Sequence, residues 1–554
     1  MSIFKKIIGL FSGTRKQDEQ KKQRNDLDIS QLRKLTQKEK LRESLSANLS
    51  LIREYHGNSF GLQVREFKIN PTNINAAIVF IEGMVDTATL DEVMRTLLID
   101  TLKIDNFKRV PLPQGGMPLL KFIRDKVITA AEITEITELD TLFDHVLLGD
   151  TAFILDGVET ALAIDTKGWK SRNIQETDTE ISIRGPRESF IEPLQDNLAL
   201  IRRRIRIPQL WIEGFRVGSL TRTQVALVYI KGLAGEEIVE EARSRLQKID
   251  TDSIFESGGI EDFVEDNPFT LFPLLLRTER PDRVASSLVE GQIAIFTDGT
   301  PFVLLAPATF FSMLQAPDDA FEKFPMGTFV RFLRYVAITA STFLPGIYIS
   351  VINFHPELLP TTLLLRIAST REGIPFPVVL EMIIMESVFE LLREAGVRLP
   401  APIGTAISIV GALVLGDAAI SAGIVSPPVV IIVALTAIAS FTVPNFALGI
   451  AGRLLRFIFI AFGAVFGLFG IQFGIFLLVV HLCALRSFGI PYLVPTAPLV
   501  WRDMKDHILH LWKWGLFYRP RLIGFREPVR QNPQQTKRFF KLNRDQEGGE
   551  DHED

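Results

Sequence analysis

Asp417 is the residue whose setting most demands an explanation: a lone acid inside an otherwise uncharged apolar run. A carboxylate in that position costs roughly 2.5–3.5 kcal/mol on membrane-insertion scales, so it normally meets a cavity, a partner or the headgroup layer. If its helix ends early, Asp417 lies at headgroup level beside a turn. If not, a ring of such carboxylates in an oligomer favours cations, and Ser408, Gly411, Ala412 and Leu415 supply a small-residue face able to line a narrow path. A second acidic set, Glu381, Glu386 and Glu390, followed by Glu394, punctuates the bulky segment PFPVVLEMIIMESVFELLREA. Glu386, Glu390 and Glu394 are spaced i, i+4, i+8 and share a helix face. These acids are either the wet side of an interfacial helix or a vestibule that concentrates cations at a pore mouth.

Other chemistry is sparse. In IRGPRESF, Arg184 and Arg187 can approach one carboxylate or phosphate across a tight turn, or pair with local acids such as Glu188. His507 and His510 lie three apart, but two histidines without a third ligand do not make a metal centre. The single cysteine, Cys483, removes any internal disulfide or multi-cysteine metal site. No P-loop, dinucleotide fingerprint, HExxH or GxSxG pattern is present. The expectation is therefore a protein that is not an enzyme, with no catalytic residue, no metal and no cofactor. A net charge of −4 over 554 residues gives no basic field for nucleic acid.

The elements that must position these groups fall into two kinds. From Leu399 to Leu485 only Asp417, Arg453 and Arg456 carry formal charge, in a chain that is 23% charged overall. Such a stretch belongs in lipid. Four spans are expected: Tyr335–Phe354, Pro402–Ile424, Pro428–Leu448 and Phe457–Leu482, the last with Gly463, Gly467, Gly470 and Gly474 marking close helix contact. The amphipathic Pro375–Ala395 is expected to lie in the interface or re-enter. From Arg486 to Arg544 there are 12 Lys/Arg against three acids, which places the tail, with the Arg331/Arg334 flank, on the cytoplasmic side.

Ahead of this bundle the pattern is α/β. LLGDTAFILDGVETALAID (Leu147–Asp165) matches the layout of LVEGQIAIFTDGTPFVLLAP (Leu288–Pro307), with Gly149 aligned to Gly291 and Asp156-Gly157 to Asp298-Gly299. Asp-Gly between apolar runs suits a two-residue hairpin with both turn positions at positive φ. The expected organisation is a basic, solvated segment over 1–45, two related α/β subdomains over 46–204 and 205–315, a transmembrane region over 316–485 and a basic cytoplasmic tail over 486–554. Met1–Gly13 lacks a small-residue cleavage site and reads as a frayed end or a short amphipathic helix on anionic lipid.

ERPDRVASSLVEGQIAIFTDGTPFVLLAPATFF (Glu279–Phe311), IRGPRESF, REGIPFPVVLEMIIMESVFELLREAG (Arg371–Gly396) and RLPAPIGTAISIVGALVLGDAAISAGIVSP (Arg398–Pro427) together resemble the GerA family of bacterial spore germinant receptors, A subunit. The resemblance covers roughly Ala47 to Val500. It departs from the family at Asp417, where members often carry an uncharged polar residue. What the resemblance implies is a multi-pass protein of the spore inner membrane; the basic segments place both termini in the cytoplasm. It implies assembly with a transporter-like B subunit and a lipoprotein C subunit, and a homo-oligomer that passes monovalent cations when nutrient binds. A non-conducting signalling or scaffold subunit is the alternative. A secondary transporter is a third reading, disfavoured because the spans show no inverted repeat.

Overall fold

The computed structural model describes residues 39–57, 59–69, 73–98, 116–128, 132–168, 180, 184–398, 416–508, 516–520 and 529–530. Its first half is built twice. Strands β1 (Leu62–Ile69), β2 (Ile74–Ile81), β3 (Ile133–Ile136), β4 (Thr151–Leu155) and β5 (Ala161–Ile164) form a sheet of order β1-β2-β4-β5-β3. Strands β6 (Leu210–Val217), β7 (Thr223–Ile230), β8 (Leu276–Thr278), β9 (Ile293–Thr297) and β10 (Val303–Ala306) repeat it as β6-β7-β9-β10-β8. Every neighbouring pair is antiparallel.

Both faces of each sheet are covered, which is why TAFIL in β4 and IAIFT in β9 read as unbroken apolar runs and are buried throughout. Over the first sheet, α1 (Leu45–His56) and α4 (Leu139–Leu147) pack on one face. Helices α2 (Thr87–Leu98) and α3 (Met117–Phe122) pack on the other. Over the second sheet, α5 (Leu194–Arg204) and α8 (Pro281–Val289) take the first role. Helices α6 (Glu236–Lys248) and α7 (Ser257–Val264) take the second.

The paired Asp-Gly turns do more than reverse the chain. Asp156 Oδ1 accepts the Leu45 N–H at 2.9 Å, and Asp298 Oδ1 accepts the Leu194 N–H at 3.0 Å. Each thereby satisfies a free amide at the first turn of its unit's opening helix. The turns are not the expected two-residue hairpins. Five residues separate β4 from β5 and β9 from β10, and only the glycines have positive φ, +83° at Gly157 and +88° at Gly299. Because α5 packs on the second sheet, the expected division after Arg204 cuts through the second unit. Arg202, near the end of that helix, is 1% exposed.

The units meet through the loop after α1. The Phe60 N–H donates to the Ile212 carbonyl at 2.8 Å, and Arg202 Nη2 donates to the Phe60 carbonyl at 2.5 Å. Gly57, at φ +69°, lies so close under Trp211 that a Cβ would fall 2.2 Å from its ring. His56 is buried here; desolvation, then the nearby Arg202 charge, hold its imidazole down to about 3.

The second half is helical: α9 (Phe324–Phe354), α10 (Val378–Arg398), α11 (Pro427–Phe441) and α12 (Phe446–Ala484). Two of them, α9 and α12, are long and apolar enough to cross a membrane, and α11 is apolar but only 15 residues long. The last of the four is not one rod. At Gly467 φ is +61° and the chain reverses. A Cβ on Gly470 would lie 2.4 Å from the Phe462 carbonyl oxygen, and one on Gly474 2.7 Å from the Phe459 ring. On a straight helix these residues would stand about 12 and 22 Å apart. The stretch is a helical hairpin.

Contacts fix the directions. Along α9, Ser341 bonds Arg456, Gly346 abuts Phe459 and Gly463, and Phe354 abuts Gly467, so the first arm of the hairpin runs parallel to α9. Val378 clusters with Ile349 and Ile460, while Glu390 meets Arg453, so α10 runs antiparallel to both. It stands within the bundle rather than lying across it. With Phe389 against Phe441 and Glu381 against Ser426, α11 runs parallel to α10. Leu448, Ala451, Leu482, Leu485 and Tyr492 then join the α5/α8 core, so the second unit and the near end of the bundle share one hydrophobic cluster.

Candidate functional site in the helical bundle

The bundle gathers the acids of α10 against partners the apolar sequence hides. Glu381, fully buried, accepts the Ser426 backbone N–H at 2.8 Å and its hydroxyl at 2.6 Å, with Arg371 at 3.4 Å. It thus places a carboxylate at the amino end of α11, where the helix dipole favours one. Glu386, 1% exposed, bonds Arg456 Nη1 at 2.5 Å and accepts the Thr436 hydroxyl at 3.2 Å. Arg456 Nε donates to the Ser341 carbonyl at 2.6 Å, tying α9, α10 and α12 together through one guanidinium. One turn along, Glu390 bonds Arg453 Nε at 3.1 Å. Glu394 is exposed and pairs with Arg398.

The spacing explains the arrangement. Acids four apart on α10 meet arginines three apart on the antiparallel α12, so two rungs of a charged ladder close between the helices. Chemically the ladder can hold helices in register. An unpaired ion in such a setting costs several kcal/mol, whereas a paired and hydrogen-bonded one is tolerated. Arg453, Arg456, Thr436, Ser426 and Arg371 were not singled out as site residues from sequence. The available signal was that two basic residues in an apolar run need acids of matching spacing, and α10 supplies them.

The remaining candidates among the described residues are not brought together. Asp417 is exposed at the start of the short helix Gly416–Ser421 and makes no ion pair among the described residues. Ser408, Gly411, Ala412 and Leu415 lie outside the described residues, as do His510 and the segment before residue 39. Arg184 and Arg187 are exposed, and Glu188 pairs with Arg204 at 2.6 Å. Arg331 and Arg334, at the base of α9, both bond Asp319, at 3.3 and 2.6 Å. Among the described residues no group of three or more His, Cys, Asp or Glu could hold a metal ion.

Residues 50–522 match the family described as Bacillus/Clostridium GerA spore germination protein. The chain is 44% identical over 493 residues to Spore germination protein KA of Bacillus subtilis (strain 168), covering 89% of each. It is 42% identical over 482 residues to the uncharacterized membrane protein YfkQ of the same organism, covering 87% of this chain and 90% of that one. Against Spore germination protein GerLA of Bacillus cereus it is 37% identical over 473 residues, covering 85% and 94%. The crystal structure of the N-terminal domain of the A subunit of the Bacillus megaterium spore germinant receptor GerK3 is 39% identical, covers 49% of this chain and 98% of that chain, and superposes with a TM-score of 0.39.

Proposed function

Because the chain belongs to the Bacillus/Clostridium GerA spore germination protein family, we propose that it is the A-type subunit of a nutrient germinant receptor and conducts monovalent cations as a homo-oligomer. One observation carries the conduction reading. Of the three formal charges between Leu399 and Leu485, Arg453 and Arg456 are paired inside the bundle, and Asp417 alone stands exposed with no ion pair among the described residues. An unneutralised carboxylate beside an apolar, small-residue run is what a cation path requires. In this reading Ser408, Gly411, Ala412 and Leu415 line the path and Asp417 sits at its mouth. Glu381 and Glu386 serve the bundle's register rather than a water-filled vestibule.

The same reading sets the topology. Helix α10 ends near the α/β units, and α11 begins at the opposite end of the bundle. Helix α9 starts and the second arm of α12 finishes at the same end, beside the second α/β unit, which agrees with an even number of passes. Both the α/β units and the tail then lie in the cytoplasm, and the complex sits in the spore inner membrane beside a transporter-like B subunit and a lipoprotein C subunit.

The test is nutrient-triggered potassium efflux from liposomes holding this chain with its B and C partners. Efflux is expected, and Asp417→Asn is expected to reduce the preference for cations over anions. Unchanged selectivity would remove Asp417 from the path. A complex that binds nutrient and passes no ions would instead favour a scaffold role, which the core shared by the second α/β unit and the bundle also supports.

A further inference from the structure

The ladder between α10 and α12 is not balanced. Arg393, Arg453 and Arg456 are mutually close, and among the described residues they face only Glu386 and Glu390, which leaves one positive charge in excess. Its hydrogen bonds are incomplete as well. Arg393 Nη1, Arg453 Nη1 and Arg456 Nη2 are all buried and donate to nothing among the described residues. Arg456 is 1% exposed and Arg453 7%. Arg393 is held over the rings of Phe441 and Phe446, at 5.2 and 5.8 Å, which pack its charge without accepting its N–H groups. An uncompensated guanidinium in an apolar bundle demands an acceptor. The chain next along, residues 399–415, carries no acid that could supply one.

We infer that these three arginines bind a phosphate group, and that an anionic phospholipid supplies it. Guanidinium forks match the several oxygens of a phosphate, and three neighbouring guanidiniums with free donors suit a tetrahedral anion better than a single carboxylate. Depth supports the lipid as the source. Arg453 lies seven residues along α12 from Phe446, about 10 Å from the near end of the bundle, within reach of the headgroup layer. Beside it Ile450, Leu454 and Ile458 on α12 and Leu391 on α10 are exposed apolar side chains, a surface for the acyl chains of a lipid whose headgroup enters between the helices. This assignment does not depend on conduction.

The full chain, purified and placed in bilayer discs of phosphatidylcholine alone or of equal parts phosphatidylcholine and phosphatidylglycerol, provides the test. Thermal unfolding is followed by tryptophan fluorescence. Phosphatidylglycerol is expected to raise the midpoint by about 3 °C, as a ligand of the native state does. Arg393→Gln leaves both carboxylate pairs in place, so it should fold, and it is expected to abolish the rise; Arg398→Gln, on the exposed end of the same helix, should keep it. Millimolar inorganic phosphate giving the same Arg393-dependent rise in pure phosphatidylcholine would keep the site and assign it to the free anion. No rise with either probe, or an equal rise in Arg393→Gln, overturns the proposal.

Discussion

The two α/β units share strand order, helix order and the aspartate that caps the opening helix, yet they are attached differently. Around the first unit, the α1/α4 face closes on itself and borrows only Ala199 from its neighbour. Around the second, the equivalent α5/α8 face takes in five residues of the bundle and its exit: Leu448, Ala451, Leu482, Leu485 and Tyr492. Equivalent positions show the same divergence. Arg53 on α1 is half-exposed and pairs loosely with Glu66, whereas Arg202 at the same place on α5 is buried between the units. A common topology fixes which elements exist; the side chains on their outer faces decide what each copy holds.

If the second unit and the bundle form one cooperative body and the first unit another, mutations should separate them. The largest effect is expected from Glu386→Gln, which strands Arg456 in the bundle at a cost of about 4 kcal/mol. Amide exchange should then rise across the bundle and the second sheet while β1–β5 keep their protection. Equal loss in the first sheet would break the distinction. Tyr492→Ala, emptying the shared core, should cost about 3 kcal/mol with the same regional pattern.

The junction of the units gives a pH signature. His56 is neutral in both states above its ordinary value of 6.5, so nothing is gained or lost there. Below 6.5 the unfolded chain takes up a proton that the native junction refuses down to about 3. Stability therefore falls with falling pH across that window, by about 1.4 kcal/mol for each unit. His56→Leu should flatten that slope in urea titrations at a series of pH values. The smallest effect is the pair Asp156→Ala and Asp298→Ala. Each should cost about 1 kcal/mol as a lost helix cap. Only Asp298→Ala should also loosen the bundle, read by exchange in α12.

Much of this was legible in sequence where the physics is local. The duplication announced itself through Gly149 and Gly291 and through the two Asp-Gly turns, because turn chemistry fixes residue type. The apolar character of α9 and of α11–α12 followed from composition. What escaped depends on distant partners. Glu386 and Glu390 looked like a wet face because Arg456 and Arg453 lie 70 and 63 residues away. The boundary at Arg204 separates α5 from the second sheet, on which that helix packs, a contact that sequence alone does not show. The reversal at Gly467 was hidden among glycines of equal promise; only the backbone shows which one turns.

The aspartate caps bear on the order in which the chain can fold as it leaves the ribosome. Leu45 waits 111 residues for Asp156, and Leu194 waits 104 for Asp298, so neither opening helix is capped until its unit's last hairpin has emerged. Both units can nevertheless close before Phe324, the first residue of α9, is made. The second then exposes a bare apolar face around Met313 until Tyr492, 179 residues later, arrives to cover it. An apolar face left bare for that interval is prone to aggregate, and the completed helical bundle is the lid on an α/β unit finished long before.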